Sequence, residues 1–292
     1  MRLSPNTIRT LLIFLVLTIP AACISNKQMT VRSAATLLED VAKSSYKQSD
    51  LRVIREGMPA YLMLIDGMVE AVPDNARLLI TAAQAYASFA SAFIENEDQD
   101  FARALYKKAK KYALRSLELR GLKDPVSIPF EKFEAGLNSL GQDDVPYMFW
   151  TGTCWGSWIR LNLGSMAAVA ELPRVEALMK RVLVLDEQFY YGGPHLFMGI
   201  WFASRPKIAG GDLAKAQLHF KKALAFSEDQ FLMTHVYYAD QYARKAFDRD
   251  LFVATLEKVL DTPADSISEL TLLNTVAQER AKKMLEQVDE YF

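Results

Sequence analysis

Cysteine is almost missing from this chain. The 292 residues hold only Cys23 and Cys154, so no disulfide framework can brace the fold and stability must come from burial. Histidine is nearly as scarce: His195, His219 and His235 stand apart, and neither H-E-x-x-H nor C-x-x-C occurs, which removes the familiar zinc sites. No serine sits in G-x-S-x-G, and G-x-x-x-x-G-K-[ST] and G-x-G-x-x-G are both absent, so the common nucleophile elbow and phosphate cradles are missing too. Neither charge dominates, with 34 basic against 35 acidic residues, and such a surface gives nucleic acid no footprint. Lys107, Lys108, Lys110 and Lys111 form the densest basic cluster and read as a solvated helix face. These absences predict no enzyme, no cofactor, no metal and no nucleic-acid partner.

Long apolar runs are lacking as well. The apolar stretch Leu11 to Ile19 falls far short of the ~20 residues that a transmembrane helix requires. It follows Arg2 and Arg9 and precedes Pro20-Ala21-Ala22-Cys23, the three-part layout of an export signal. Cys23 after two alanines resembles a bacterial lipobox, with Pro20 where leucine is usual. The expected organisation is therefore a signal over 1–22, a lipidated Cys23 and spacer over 23–32, and one all-α domain over 33–292. A lipid would be the sole membrane attachment, since several acyl chains hold a protein stably where one is marginal. Ile24 after the cysteine does not resemble an inner-membrane retention signal, which is consistent with an outer-membrane, periplasm-facing position. Cys154 would then be a small buried hydrophobe.

What the chain does contain is helical periodicity, and no run of period-two alternation bounded by hairpin turns points to a sheet. Residues Tyr190 to Phe226 are the most informative. Gly192-Gly193-Pro194 open an apolar stretch that Arg205-Pro206 ends, Gly210-Gly211 supply a turn, and Asp212 is a natural N-cap. In the second helix Ala216, Phe220 and Ala223 share one face, and Gly199 and Phe202 stand in the first. That A-x3-F-x2-A pattern reads as a tetratricopeptide repeat, in which small residues permit close helix contact and a ring fills the gap. It recurs as Ala102/Tyr106/Ala109, Val175/Met179/Val182 and Phe252/Leu256/Val259, and Trp155-Gly156-x-Trp158 aligns with Met198-Gly199-x-Trp201.

The expected architecture is thus an all-α, tetratricopeptide-like helical hairpin array, an α-solenoid of about four cryptic repeats with a C-terminal capping helix. Helices are expected near 33–48, 51–71, 74–96, 100–120, 124–140, 144–170, 173–186, 194–204, 212–227, 230–245, 248–260 and 267–290. In the last of these, Leu270, Leu273, Ala277, Ala281, Met284 and Val288 form one apolar stripe, and Gln278 lies off it. With catalysis excluded, binding remains. Aromatic residues including Trp155, Trp158, Tyr190, Tyr191 and Trp201 crowd the central repeats, and flat amphipathic rings on a curved helical wall suit apolar ligands. Arg205 can pair with a carboxylate.

The stretches YYGGPHLFMGIWFASRPKIAGGDLAKAQLHFKKAL (Tyr190 to Leu224), FLMTHVYYADQYARKAFDRDLF (Phe231 to Phe252), LLNTVAQERAKKMLEQVDEYF (Leu272 to Phe292) and FWTGTCWGSWI (Phe149 to Ile159) closely resemble the TatT family, the T component associated with TRAP transporters. The resemblance implies an exported lipoprotein that works beside the system's solute-binding receptor, the P component, in ion-driven transport. It further implies a small, rather hydrophobic ligand, to which the reading of Arg205 adds a carboxylate, and Tyr191, His195, Trp201 and Arg205 as candidate lining. A homo-oligomer, with a trimer conceivable, is also expected. The competing reading is a scaffold lipoprotein for envelope assembly that takes extended peptides in its groove.

Overall fold

The computed structural model describes residues 36–38 and 40–292; the expected signal segment, Cys23 and the spacer lie outside the described residues. A first helix, α1, covers 40–46. It is followed by α2 (Leu51–Ala71), α3 (Ala76–Phe89, continued by a π-helical turn Ala90–Ile94), α4 (Gln99–Leu119) and α5 (Phe130–Asn138). The middle of the chain forms α6 (Val145–Arg160), α7 (Met166–Val169), α8 (Leu172–Leu185), α9 (Phe189–Ser204) and α10 (Leu213–Phe226). Then come α11 (Leu232–Tyr237, continued by a π-helical segment Tyr238–Ala243), α12 (Arg249–Asp261), α13 (Thr271–Glu286) and α14 (Val288–Tyr291). No strand occurs among the described residues.

The helices start where short polar side chains can satisfy the free N–H groups of a first turn. Asp50 accepts from Arg52 and Val53, Asn75 from Leu78, Asp98 from Phe101, Asp212 from Lys215 and Asp248 from Leu251. Each such cap is worth about 1 kcal/mol.

Packing is pairwise: α3 lies on α4, α6 on α8, α9 on α10, and α11 on α12 and α13. The repeated triplets supply the contact faces. Ala102, Ala109, Val175, Met179, Val182, Ala216, Phe220, Ala223, Phe252, Leu256 and Val259 are 0% exposed and Tyr106 is 1%. At the α9–α10 crossing a Cβ on Gly199 would lie 3.0 Å from the Phe220 ring. Glycine there sets how closely the two helices approach.

Two boundaries differ clearly from expectation, each for a local reason. The helix expected from 124 begins only at Phe130, because Asp124 takes a positive φ of 47° and Pro129 occupies the N-cap. The long helix expected over 144–170 ends at Arg160, and Ser165 caps the short α7 that follows. Before Gly193, the residues Tyr190, Tyr191 and Gly192 take left-handed backbone angles, so α9 opens on a tight turn and its helical run begins close to the expected residue 194.

The basic cluster on α4 is only partly a solvated face. Lys108 pairs with Asp66, which also accepts from the Tyr86 and Tyr112 hydroxyls, each at 2.7 Å. Lys110 is 11% exposed; it pairs with Glu171 and lies 3.7 Å from the centre of the Trp158 ring. Periodicity marks which face a residue is on, and it does not show which neighbouring helix brings a carboxylate to that face.

The apolar stripe of the last long helix is buried or half-buried as expected, while Gln278 turns inward and donates to the carbonyls of Val259 and Thr262 at the end of α12. α13 also meets the beginning of the chain. Arg280 donates to the Ser91 carbonyl on α3's π-helical turn, Glu269 lies 3.6 Å from Lys47, and Leu51 and Ala92 pack against the C-terminal core. The last long helix, α13, therefore touches α2 and the π-helical turn after α3.

Candidate functional site

The rings that the sequence crowds into the middle of the chain converge on Tyr190. Its ring lies 5.0 Å from Trp150, 5.8 Å from Tyr191, 5.9 Å from Phe149 and 6.0 Å from Phe231, centre to centre. Most of these are edge or tilted contacts, the arrangement that ring quadrupoles favour. From the left-handed turn at Tyr190 and Tyr191, Tyr190 packs on both the central and the C-terminal core and Tyr191 on the C-terminal core. Burial pushes the Tyr190 hydroxyl well above its ordinary range, and nearby Tyr46 adds to the shift. Tyr46 itself, which receives a hydrogen bond from Gln84 at 3.0 Å, is pushed up to about 12 by burial. Helix α1 thus carries a neutral phenol to the aromatic centre.

His195, 3% exposed, faces α10. Its Nε2 is 3.0 Å from Glu187 and its Nδ1 is 2.8 Å from Nδ1 of His219. Two facing Nδ1 atoms can share only one hydrogen, so one ring donates and the other accepts. Burial lowers both pKa values, His219 to about 4, and keeps the pair neutral near pH 7. Its evident work is to tie α9 to α10.

The remaining candidates fall into two pairs. Trp155 is fully buried and donates from Nε1 to Glu171, beside the half-buried Trp158 under Lys110. Trp201 is 6% exposed, its Nε1 lacks a hydrogen-bond partner, and the Arg205 guanidinium stacks 4.1 Å from its ring centre. Tyr191 packs on Phe231, and neither it nor His195 shares a ring contact or hydrogen bond with either pair.

Past the end of α9 the chain turns through Lys207–Ala209 and a left-handed Gly210 into α10. Gly211 is forced by space, since a Cβ there would stand 1.8 Å from the Arg205 carbonyl oxygen. Beside this turn lies an open depression of about 500 Å³ lined by Arg205, Lys207, Asp212, Leu213 and Lys245. Lys207 and Lys245 carry no sequence signal. They are lone lysines from different loops, and only the packing of Lys245 onto the Ala203 carbonyl at 2.8 Å joins them. Elsewhere Arg160 pairs with Glu95, which also accepts from Tyr106. Among the described residues no cluster of three metal-ligating side chains occurs.

Fold and site together define an all-helical protein, with paired helices around aromatic cores and charged groups matched across neighbouring helices. The family model for the TRAP transporter T-component matches residues 47–292, and the chain belongs to that family. The family is a transporter accessory family and not an enzyme family. A protein of Treponema pallidum (strain Nichols) named "Uncharacterized protein" is 22% identical over 270 residues, covering 87% of this chain and 84% of that protein.

Proposed function

We propose that this chain is the periplasm-facing, lipid-anchored accessory component of a TRAP-type secondary transport system. Cys23 carries the lipid, and an outer-membrane location fits Ile24 after it. The helical hairpins act as a tetratricopeptide-like scaffold that docks the solute-binding P component, and the aromatic centre around Tyr190 holds or relays a small hydrophobic or carboxylate ligand. The observation that carries the reading is the family match across 47–292. It favours transport over an envelope-assembly scaffold for extended peptides.

A physical advantage follows from tethering. Holding a soluble receptor at a membrane raises its effective concentration to about the millimolar range for a short tether, which speeds capture without any new ligand contact. The test is a pull-down of the lipidated chain with the receptor encoded beside its gene. Recovery of a stoichiometric complex at micromolar concentration is the expected result, and recovery of nothing would reject the docking role.

A further inference from the structure

Around the α9–α10 turn the charges do not balance. The carboxylates nearby are each matched to a cation of their own: Asp212 to Lys215 at 3.5 Å, Glu176 to Lys180 at 3.0 Å and Asp240 to Arg244 at 2.8 Å. Asp212 is further committed to capping α10 through the Lys215 N–H at 3.0 Å. That leaves Arg205, Lys207 and Lys245, which line one depression; none of the three makes an ion pair with a described residue. Arg205 is held from behind, its Nε donating to the Trp201 carbonyl at 3.1 Å and its plane lying on the indole. Its two terminal nitrogens, the fork that suits a carboxylate, have no acceptor among the described residues. Lys245 is oriented by neutral oxygens alone, the Ala203 carbonyl at 2.8 Å and the Gln241 side chain at 3.4 Å. Burial lowers the pKa of both groups, and Glu176 near Arg205 and Asp240 near Lys245 offset it only in part.

The same turn presents an apolar tip. Ile208 is 98% exposed and Leu213 is 37% exposed. The depression is open, so a free small anion would bury little surface in it and gain little. A protein surface that lays carboxylates on the cations and covers Ile208 would gain both charge complementarity and apolar burial, the anatomy of a polar-rimmed interface.

We infer that the α9–α10 turn, with the depression lined by Arg205, Lys207 and Lys245 and with Ile208 exposed on the same turn, is the surface on which this protein docks its receptor, through acidic side chains that the receptor presents. The inference rests on the receptor-docking role proposed above and adds its location and chemistry. Electrostatic steering at such a rim speeds association and makes it sensitive to salt.

The experiment measures binding of the lipidated full chain, in detergent, to the neighbouring solute receptor at low and high salt. Lys207→Glu is the main variant, because Lys207 is exposed and lies on the open depression. Lys221→Glu, an exposed position on α10 outside the depression, is the control for net charge. The expected result is an affinity about tenfold weaker for Lys207→Glu, chiefly through a slower association rate and a shallower salt dependence. Lys221→Glu should change it by less than about twofold, and Ile208→Ser should weaken binding without altering the salt slope. Wild-type affinity in both Lys207→Glu and Ile208→Ser would overturn the surface assignment and leave the docking role standing. A receptor that does not bind the wild-type chain would overturn both. Saturable binding of acetate at this turn, with receptor affinity unchanged by Lys207→Glu, would overturn it in favour of a free-anion site.

Discussion

Replacing Glu171 by Gln isolates the energetics of the central repeats. Glu171 accepts from Lys110 Nζ and Trp155 Nε1, and the Lys110 and Glu171 side chains are only 11% and 17% exposed. Both hydrogen bonds go to one Glu171 oxygen, whose place the glutamine Oε1 can take, so the substitution keeps volume and acceptor but leaves a buried ammonium without its counter-ion. Stranding one partner of a buried pair costs about 3–5 kcal/mol. The indole faces of Trp158 at 3.7 Å and Trp155 at 5.2 Å offset about 1–2 kcal/mol of that, so the net loss is ~3 kcal/mol. In a body of this size that lowers the Tm by about 6–12 °C. Urea unfolding of wild type, Glu171→Gln, Lys110→Met and the double variant gives the pair's coupling. Adding Lys110→Met to Glu171→Gln should recover stability, because it removes the stranded charge. Burial already lowers the Lys110 pKa from its usual 10.5 despite Glu171. The unfolded chain therefore binds more protons in that window, and the Glu171→Gln deficit should shrink as pH rises toward 10.5. An unchanged urea midpoint in Glu171→Gln, or a coupling near zero, would refute this account.

Two further outcomes follow from the geometry of the α9–α10 hairpin. Gly211→Ala places a Cβ 1.8 Å from the Arg205 carbonyl oxygen and should cost more than about 2 kcal/mol in chemical denaturation, whereas Gly164→Ala, whose Cβ meets nothing within 4 Å, should stay within about 0.5 kcal/mol of wild type. Stability should fall as pH drops from 6.5 to about 4, since His219 titrates near 6.5 when unfolded and at about 4 when folded, so the unfolded state takes up the proton first. His219→Gln should flatten denaturant midpoints measured across that window, and an identical pH profile in variant and wild type would count against the assignment.

The parts of the fold that were legible in sequence are those set by local spacing. Ala216, Phe220 and Ala223 and their counterparts repeat at four and three residues, and all of them are buried. Asp212 reads as a cap before Leu213 because a capping side chain needs only its next three residues. What depends on distant partners was not legible. Arg280 and Ser91 stand 189 residues apart, and nothing in either segment announces the other. Lys110 and Lys111 look alike in sequence, yet α6 and Glu171 cover the first and leave the second exposed. Trp201 and Arg205 were visible as one helix end, while Lys245 joins them only because α11's π-helical extension packs against α9.

The contact between α13 and the α2–α3 region couples the two ends of the described residues. An open stack of hairpins can gain or lose a member at either end, since each unit leans only on its neighbours. Here the terminal hairpin rests on the first ones as well, through Arg280, Glu269 and the cluster around Leu51. Loss of α13 would thus uncover apolar surface at both ends of the described residues at once, on α11 and α12 and around Leu51 and Ala92.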